Sequence, residues 1–462
     1  KSASSVAFMA LFICLFWGGL GFVYWWHESA TTPGKLIEYL SYPPREYSFY
    51  DKKNLWFFTF IFSEILPQRS FLFGLPLFFL IMLLVVKGLE EKKNRNLLLA
   101  GVLSGILPFF HTHTFLSVWI VSIVWFGLNF LDWGLFHLKA HGKNFLNPLP
   151  ERIFNRLRNG FGSGCKPAPT MNFHHFALSK KNILKNALFF FLPFALLSLL
   201  QYPLFSNSAH TISVSLGWLA GKENIIWFWF KNTGFFIPLF LFALWKLRRR
   251  GQVFFIGAAS LAIFIIADIF QFAPWGYDNL KMFTFWYLLA SFFVAYAIYR
   301  LALLSKLGKI IAILLMVTLT LTGVVEVSRI IPTERTQIQL WSVADQELAQ
   351  WIRDNTSPQS IFLTAAIHDH PVASLAGRKI VIGYPGNSWS WGIAGWETRE
   401  RDVHTMFQGK PESFSLWKKY GIEYIMVGDR ERWFEKSLDE GYIAANASLI
   451  YQYGTSRIYQ VR

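Results

Sequence analysis

Two residues whose side chains suit phosphate chemistry lie three positions apart in the second half of the chain. Asp278 and Lys281 follow the short segment 274–277, and this spacing places both on one face if a helix begins there. An ammonium group neutralises a phosphate, and a carboxylate accepts the proton of an attacking hydroxyl group. The pair therefore predicts a site of group transfer to a hydroxyl; the structural alternative is that Asp278 is a helix N-cap.

Three further residues in the apolar part of the chain suit contact with phosphate. Arg69 opens an apolar run, and its guanidinium presents paired donors that match phosphate oxygens. His111 and His113 interrupt another run, where polar groups usually face a cavity or a partner. We expect Arg69, His113 and Lys281 to bind a lipid phosphate and His111 to contact substrate. The alternatives are an interfacial anchor for Arg69 and a simple break between helices at the histidines. Two histidines alone are too few for a metal site, so none is predicted.

The last third of the chain contains a stretch rich in glycine and tryptophan. Arg378 precedes the strand-like residues 379–382, and Tyr384 lies in a Gly-Tyr-Pro-Gly turn that leads to Trp389 and Trp391. Tryptophans beside such turns stack on sugar rings or enter the headgroup layer of a membrane. We expect these four residues to bind substrate. For the tryptophans, packing in a core or contact with the membrane surface is the alternative.

The candidate phosphate-binding residues lie in or beside long apolar runs. The 462 residues are 53% hydrophobic and 18% aromatic, which exceeds the usual composition of a soluble protein. Runs long enough to span a bilayer lie at about 4–26, 67–88, 97–132, 184–205, 225–246, 252–272, 280–300 and 308–326, and the third counts as two passes that meet near Pro108. The sequence predicts a polytopic α-helical membrane protein with a transmembrane domain of about nine passes over residues 1–326.

The net charge of +16 reflects the membrane topology. Lysines and arginines cluster in short loops between apolar runs, as the positive-inside rule describes, so the charge predicts no nucleic-acid partner. The basic loop at 134–183 is then cytoplasmic and contacts anionic headgroups. The same alternation places residues 27–66, the turn before Asp278 and the domain after residue 326 outside. We expect an integral protein of a bacterial cytoplasmic membrane. Cys14 and Cys165 provide no disulfide framework.

Residues 327–462 have the pattern of a separate folded domain. An amphipathic helix is predicted at 340–354, and strand-like runs at 360–364, 379–382, 423–427 and 456–461 alternate with helical stretches near 398–408, 412–420 and 430–439. This alternation predicts a C-terminal extracytoplasmic α/β domain with a partly parallel sheet.

In layout and in three motifs the chain resembles the GT-C superfamily of polytopic glycosyltransferases, which use polyprenyl-phosphate sugars and include oligosaccharyltransferases and protein O-mannosyltransferases. The motifs are Ala100-Gly101-x-x-x-Gly105-Ile106-Leu107-Pro108, the turn from Pro274-Trp275 to Lys281, and Gly383-Tyr384-Pro385-Gly386 running to Trp391-Gly392. The last is similar to the tryptophan-rich acceptor-side motif of oligosaccharyltransferases but lacks the order Trp-Trp-Asp-Tyr-Gly. The resemblance implies a catalytic acid in the first external loop, yet the acids of 27–66 form no Asp-x-Asp or Glu-x-Asp pair. A divalent metal is expected only if an acidic loop precedes Lys1.

The resemblance implies a membrane glycosyltransferase that moves a sugar from a polyprenyl-phosphate carrier to an extracytoplasmic acceptor. Asp278, or an acid upstream of Lys1, is the expected catalytic base, and membrane lipid and the lipid-linked sugar are the expected partners. The alternative is a non-enzymatic subunit of a larger membrane complex, built on a GT-C scaffold without its acidic loop, with other membrane subunits as partners. A transporter is disfavoured because no internal repeat is evident.

Overall fold

A computed structural model describes residues 2–32, 36–56, 59–66, 68–140, 180–205 and 212–462. They divide into two compact units. The first, the helical unit, contains nearly all described residues up to Thr333, and the second, the α/β unit, comprises Glu334–Arg462 with a few loop residues, Phe272–Trp275 among them. Most of the predicted basic loop at 134–183 lies outside the described residues, as does Cys165.

Apolar helices build the helical unit. In chain order they are α1 (Ser2–Phe16), α2 (Gly21–Thr31), α3 (Leu36–Ser41), α4 (Phe71–Glu90), α5 (Asn94–Phe110), α6 (Thr112–Ala140), α7 (Lys180–Phe205), α8 (Ile225–Thr233), α9 (Phe236–Leu247), α10 (Gln252–Ile269), α11 (Gly276–Ala302) and α12 (Lys306–Ser328). A π-helical turn, Phe60–Ile65, precedes α4. Two antiparallel two-residue pairs complete the unit, β1 (Phe49–Tyr50) with β2 (Leu55–Trp56) and β3 (Ser213–Val214) with β4 (Phe270–Gln271).

By length and composition, six of the described helices can cross a membrane. They are α4, α6, α7, α10, α11 and α12. Two bent pairs, α1 with α2 at 58° and α8 with α9 at 92°, raise the number to eight if each pair is one span, and α5 is a shorter apolar helix. The chain is therefore a polytopic α-helical membrane protein, as predicted from its sequence. The number of nine passes stays a prediction.

Helix α11 is the centre of the helical unit. Of its apolar window, 83% is buried inside the protein, against 22–44% for the other five candidate spans. It packs against α1, α6, α9, α10 and α12. Because protein surrounds it, polar side chains on its first turns must find partners within the protein.

The predicted first span is broken where α1 meets α2. Gly19 adopts a positive φ of 62°, which glycine tolerates without steric cost. The hydroxyl of Thr322 in α12 accepts a hydrogen bond from the Phe22 N–H and donates one to the Gly19 carbonyl, each 2.9 Å long. These bonds satisfy backbone groups that the break would otherwise leave without partners. At the adjacent Gly323, a Cβ atom would overlap the carbonyl oxygen of Phe16.

The α/β unit has one five-stranded sheet between helices. After a short helix α13 (Thr333–Thr336), its helices are α14 (Val343–Asn355), α15 (Pro371–Ser374), α16 (Pro385–Ser390), α17 (Trp396–Phe407), α18 (Ser413–Tyr420), α19 (Asp429–Phe434) and α20 (Glu440–Asn446). Its strands are β5 (Ile361–Leu363), β6 (Lys379–Ile380), β7 (Tyr424–Val427), β8 (Ala447–Tyr453) and β9 (Ser456–Val461), in the spatial order β6-β5-β7-β9-β8. β5 is parallel to β6 and β7, and the β7-β9 and β9-β8 pairs are antiparallel.

Alternate residues of the central strands enter two separate cores. Leu363 and Ile425 pack with α17 and α18, whereas Phe362 and Met426 pack with α14 on the opposite face. Buried on both faces, the central strands read as short apolar runs, which is how they were predicted. The C-terminal α/β region is therefore confirmed, and the side of the membrane on which it lies stays a prediction.

Substitution of Gly323 by alanine should destabilise the helical unit. The added methyl group must push α12 away from α1, and overpacking of this kind costs about 1–3 kcal/mol. We expect a lower midpoint of thermal unfolding for the detergent-purified protein, measured by tryptophan fluorescence.

Gly127→Ala is the matched control, since Gly127 also lies in a helix but has no atom within 4 Å of the position that the added methyl group would take. An unchanged midpoint for Gly323→Ala would contradict the close approach of α12 to the end of α1.

Candidate functional site

Asp278 and Lys281 form a largely buried ion pair at the start of α11. The Lys281 Nζ lies 2.9 Å from the Asp278 Oδ1, and the residues are three positions apart, as the sequence spacing predicts. Because α11 begins at Gly276, Asp278 lies inside the first turn and is not an N-cap. A carboxylate at this end of a helix is stabilised by the helix dipole.

Glu64 brings a second carboxylate to the same place. It lies on the π-helical turn, and its side chain is buried. The Thr284 hydroxyl, one turn beyond Lys281, donates to the Glu64 Oε1 at 3.1 Å, and Lys281 interacts with the carboxylate electrostatically. Within the described part of the chain, the Glu64 Oε2 has no hydrogen-bond partner. This oxygen is free to accept a hydrogen bond from a bound molecule.

Both predicted histidines join this group. α5 ends at Phe110 and α6 begins at Thr112, which confirms the predicted helix break and leaves His111 between them. The His113 ring hydrogen-bonds to the backbone carbonyl of Asp278, and Lys281 interacts electrostatically with both imidazoles.

A small residue on α4 allows this arrangement to be compact. The His111 Nδ1 lies 2.7 Å from the Thr114 hydroxyl. A Cβ atom at Gly74 would lie 2.7 Å from the same Nδ1, so only glycine lets α4 approach this closely. Glu64, His111, His113, Asp278, Lys281 and Thr284 are called the buried polar cluster below.

Arg69 precedes the start of α4 and is exposed to solvent. The side chain of its neighbour Gln68 hydrogen-bonds to Tyr277, the residue before Asp278. Among the residues that the structure describes, Arg69 has no hydrogen bond or ion pair. Its guanidinium is therefore available to an anionic ligand. The described residues contain no group of three or more His, Cys, Asp or Glu side chains placed to hold a metal ion.

In the α/β unit, the protein's own carboxylate fills the crevice between β5 and β7. Ligands of open α/β sheets usually bind at the carboxyl ends of strands where the strand order changes direction, which here is at β5. The Glu431 Oε1 accepts from the Ala365 N–H at 3.1 Å and lies 2.7 Å from the His370 Nε2, and its Oε2 accepts from the Gly428 N–H at 2.9 Å. Burial acts to raise the pKa of Glu431, but the interaction with His370 and the Ala365 N–H outweigh burial and lower it. This carboxylate joins the two strand ends.

Arg378 is buried, and its donors are used inside the protein. Its guanidinium donates to the backbone carbonyls of Ile352, Arg353, Thr356 and Ala376 and to the Thr356 hydroxyl. These bonds join the end of α14 to the start of β6. The sequence predicted that Arg378 binds substrate, and this geometry supports a structural role.

The other three predicted residues of this unit lie after the carboxyl end of β6. Tyr384 stacks on His368, with ring centroids 3.7 Å apart. Trp389 in α16 and Trp391 just after it are 40% and 60% exposed, so they are not packed in a core. Their predicted contact with substrate stays a prediction.

Comparisons with known proteins give a distant similarity of fold. No family model matches the chain, and no curated protein matches it. A similar solved structure is that of the archaeal oligosaccharyltransferase AglB from Archaeoglobus fulgidus in complex with an inhibitory peptide and a dolichol-phosphate, with a TM-score of 0.38 and 11% sequence identity. The match covers 84% of this chain and 55% of that one, so this chain spans about half the length of that enzyme. No role of a residue is transferred from it.

Replacement of Glu431 by glutamine should destabilise the contact between the carboxyl ends of β5 and β7. A carboxyl group whose pKa is lowered by folding stabilises the protein above its ordinary pKa of about 4.3, and this contribution is lost as the pH falls. We expect Glu431→Gln to lower stability by about 1–3 kcal/mol at pH 7, because one oxygen no longer accepts. The difference from the wild type should narrow below about pH 4.

Hydrogen exchange of the peptides around residues 364–370 and 428–434, followed across this pH range, measures the effect. Glu412→Gln, at an exposed carboxylate, is the control. Equal protection of these peptides in Glu431→Gln and the wild type at pH 7 would refute the role of Glu431.

Proposed function

We propose that this protein is a membrane glycosyltransferase that moves a sugar from a polyprenyl-phosphate carrier to an acceptor on the extracytoplasmic side, in a bacterial cytoplasmic membrane. The observation that carries the proposal is the buried polar cluster at the start of the membrane-spanning helix α11, together with the exposed Arg69, whose neighbour Gln68 hydrogen-bonds to Tyr277 of the same helix. A lipid-linked substrate needs this combination, since its chain lies among apolar helices while its phosphate and sugar meet polar groups.

The reaction needs a base and a group that stabilises the leaving phosphate. The acceptor oxygen attacks the sugar C1, the bond from C1 to the phosphate oxygen breaks, and its electron pair stays on the phosphate. The acceptor proton passes to a carboxylate. We assign this role to Asp278 together with Glu64, since the Glu64 Oε2 has no partner among the described residues while the Asp278 Oδ1 is paired with Lys281.

Arg69 supplies the charge for the phosphate. A guanidinium binds two phosphate oxygens at once, and charge-assisted hydrogen bonds of this kind are the strong ones. Lys281 and His113 complete the phosphate site. The Lys281 ammonium group interacts with the phosphate as well as with the carboxylates of Glu64 and Asp278. His111 keeps its predicted contact with substrate. Tyr384 and Trp389 keep their predicted contact with substrate, since the stacked His368–Tyr384 pair offers an aromatic surface for a sugar ring.

One observation favours the alternative, a non-enzymatic subunit of a membrane complex. Lys281 is already neutralised by Asp278. A cluster that only joins helices would have the same ion pair. The two functions differ in the effect of a conservative change at Glu64.

Glu64→Gln keeps the shape of the side chain and its hydrogen bond with Thr284 but removes the proton acceptor. We expect transfer from a radiolabelled polyprenyl-phosphate hexose to fall about 10²–10⁴-fold, the usual contribution of general base catalysis. The variant should elute and unfold like the wild type, because its buried contacts are retained.

Glu91→Gln is the matched control, since Glu91 is an exposed carboxylate that pairs with Lys93. Wild-type turnover in both Glu64→Gln and Asp278→Asn would exclude the assigned bases. Absence of transfer by the wild type, together with stable copurification of other membrane proteins, would favour the accessory subunit.

Arg69→Ala should weaken the binding of a polyprenyl phosphate without its sugar. Loss of a charge-assisted hydrogen bond costs about 1.5–3 kcal/mol, and about 1.4 kcal/mol is tenfold in affinity. We expect the dissociation constant, measured by native mass spectrometry in nanodiscs, to rise about tenfold or more. Arg69→Lys should recover only part of the affinity because an ammonium cannot bind two oxygens in parallel.

Arg95→Ala removes an exposed arginine at the start of α5 and is the control for a change in overall charge. Equal affinity of Arg69→Ala and Arg95→Ala would remove Arg69 from the phosphate site and leave the role of Glu64 to be decided by the transfer assay.

A further inference from the structure

One turn of the α/β unit combines exposed apolar side chains with backbone N–H groups that are hydrogen-bonded to nearby carbonyls. The turn comprises residues 389–393 and is called the tryptophan turn here. Trp391 is 60% and Ile393 55% exposed, on either side of Gly392. The N–H groups of Trp391, Gly392 and Ile393 donate to carbonyls of Asn387, Trp389 and Ser388 at 2.9–3.1 Å. A segment whose donors are already bonded can leave water at low cost.

The stretch of chain that contains the tryptophan turn has no charged side chains. No aspartate, glutamate, lysine or arginine occurs between Lys379 and Glu397. The end of α18 differs, since Lys418 and Lys419 are exposed there. Residues 418–423 lead into the amino end of β7, whereas the tryptophan turn follows the carboxyl end of the parallel β6. The two edges of the sheet therefore differ in polarity.

Exposed apolar side chains also occur in the chain segment that follows the last membrane-spanning helix. Between the end of α12 at Ser328 and the start of α14, Ile331, Ile338 and Leu340 are exposed. The indole N–H of Trp341 donates to the Asp369 carbonyl at 2.8 Å. Asp369 follows β5, so the chain that arrives from the membrane is attached to the carboxyl edge, the same edge as the tryptophan turn.

We propose that the tryptophan turn contacts the lipid headgroup layer of the membrane, with Trp391 and Ile393 inserted. Indole rings partition to the boundary between water and the bilayer, and isoleucine gains by leaving water. Sugar stacking does not account for Ile393, which has no ring, or for an uncharged stretch of this length. The inference does not depend on the glycosyltransferase activity, and it assigns Trp391 to lipid and leaves Tyr384 and Trp389 to substrate.

The test uses the full chain with Cys14→Ala and Cys165→Ala in nanodiscs of phosphatidylcholine and phosphatidylglycerol. Single cysteines at Trp391, Ile393 or the control position Lys418 carry an environment-sensitive NBD fluorophore. We expect blue-shifted emission at 391 and 393, quenching by lipids with a nitroxide near the headgroup, and protection from aqueous iodide. The label at 418 should be quenched by iodide and not by the lipid nitroxide.

Iodide quenching at 391 and 393 equal to that at 418 overturns the inference. It is also overturned if these labels gain protection only when a polyprenyl-phosphate sugar is added, because the turn is then a substrate contact. The unmodified protein gives a second measurement. A lipid-soluble photoreactive carbene should label the peptide that contains 389–393 and spare the peptide that contains 412–423, and the reverse pattern contradicts the proposal even if a cysteine variant does not fold.

Discussion

The position of α11 at the centre of the helical unit is the constraint on which the other features depend. Because most of α11 is buried inside the protein, Lys281 and Thr284 are buried and Asp278 is only partly exposed. Their spacing of three residues places them on one face, and that face must be met by complementary groups. Glu64 and His113 meet it, from a π-helical turn and from the start of α6. The irregular elements around α11 therefore supply the polar partners of these side chains.

The length and composition of the apolar runs were sufficient to predict the helices but not all of their breaks. The break between α5 and α6 was predictable because Pro108 and His111 mark it in the sequence. At the break between α1 and α2, Gly18 and Gly19 are the only residues that disfavour a helix, and glycines also occur inside membrane helices. Its stability comes from Thr322, three hundred positions away, and no local pattern reveals that partner. Helix α14 begins at Val343, three residues later than predicted, because Ser342 and Asp345 form a capping box.

In the α/β unit, the strands that were predicted are those buried on at least one face. β8 was not predicted because most of its residues are exposed, and it lies at the edge of the sheet against β9. The contacts within the buried polar cluster also differed in how far the sequence could predict them. Asp278 and Lys281 interact locally, so their spacing was enough. Glu64 is 220 residues from Thr284, and the sequence shows only one acid among several in a loop. The internal hydrogen bonds of Arg378 were not predictable either, since most of its partners are backbone carbonyls, which every sequence contains; its contact with substrate stays a prediction.

If the protein binds a lipid phosphate, the charges of the buried polar cluster determine which residues bind the phosphate and which accept the proton. Lys281 faces two carboxylates, so an anion that enters the cluster meets more negative than positive charge unless a carboxyl group is protonated. A phosphate therefore gains more from Arg69, which has no ion pair among the described residues and lies in solvent beside Gln68. A proton, in contrast, is stabilised most inside the buried polar cluster, where the Glu64 Oε2 is buried and has no hydrogen-bond donor among the described residues. Electrostatics thus favours binding of phosphate at the exposed arginine and acceptance of the proton in the interior, an arrangement that keeps the two charges of a transfer reaction apart.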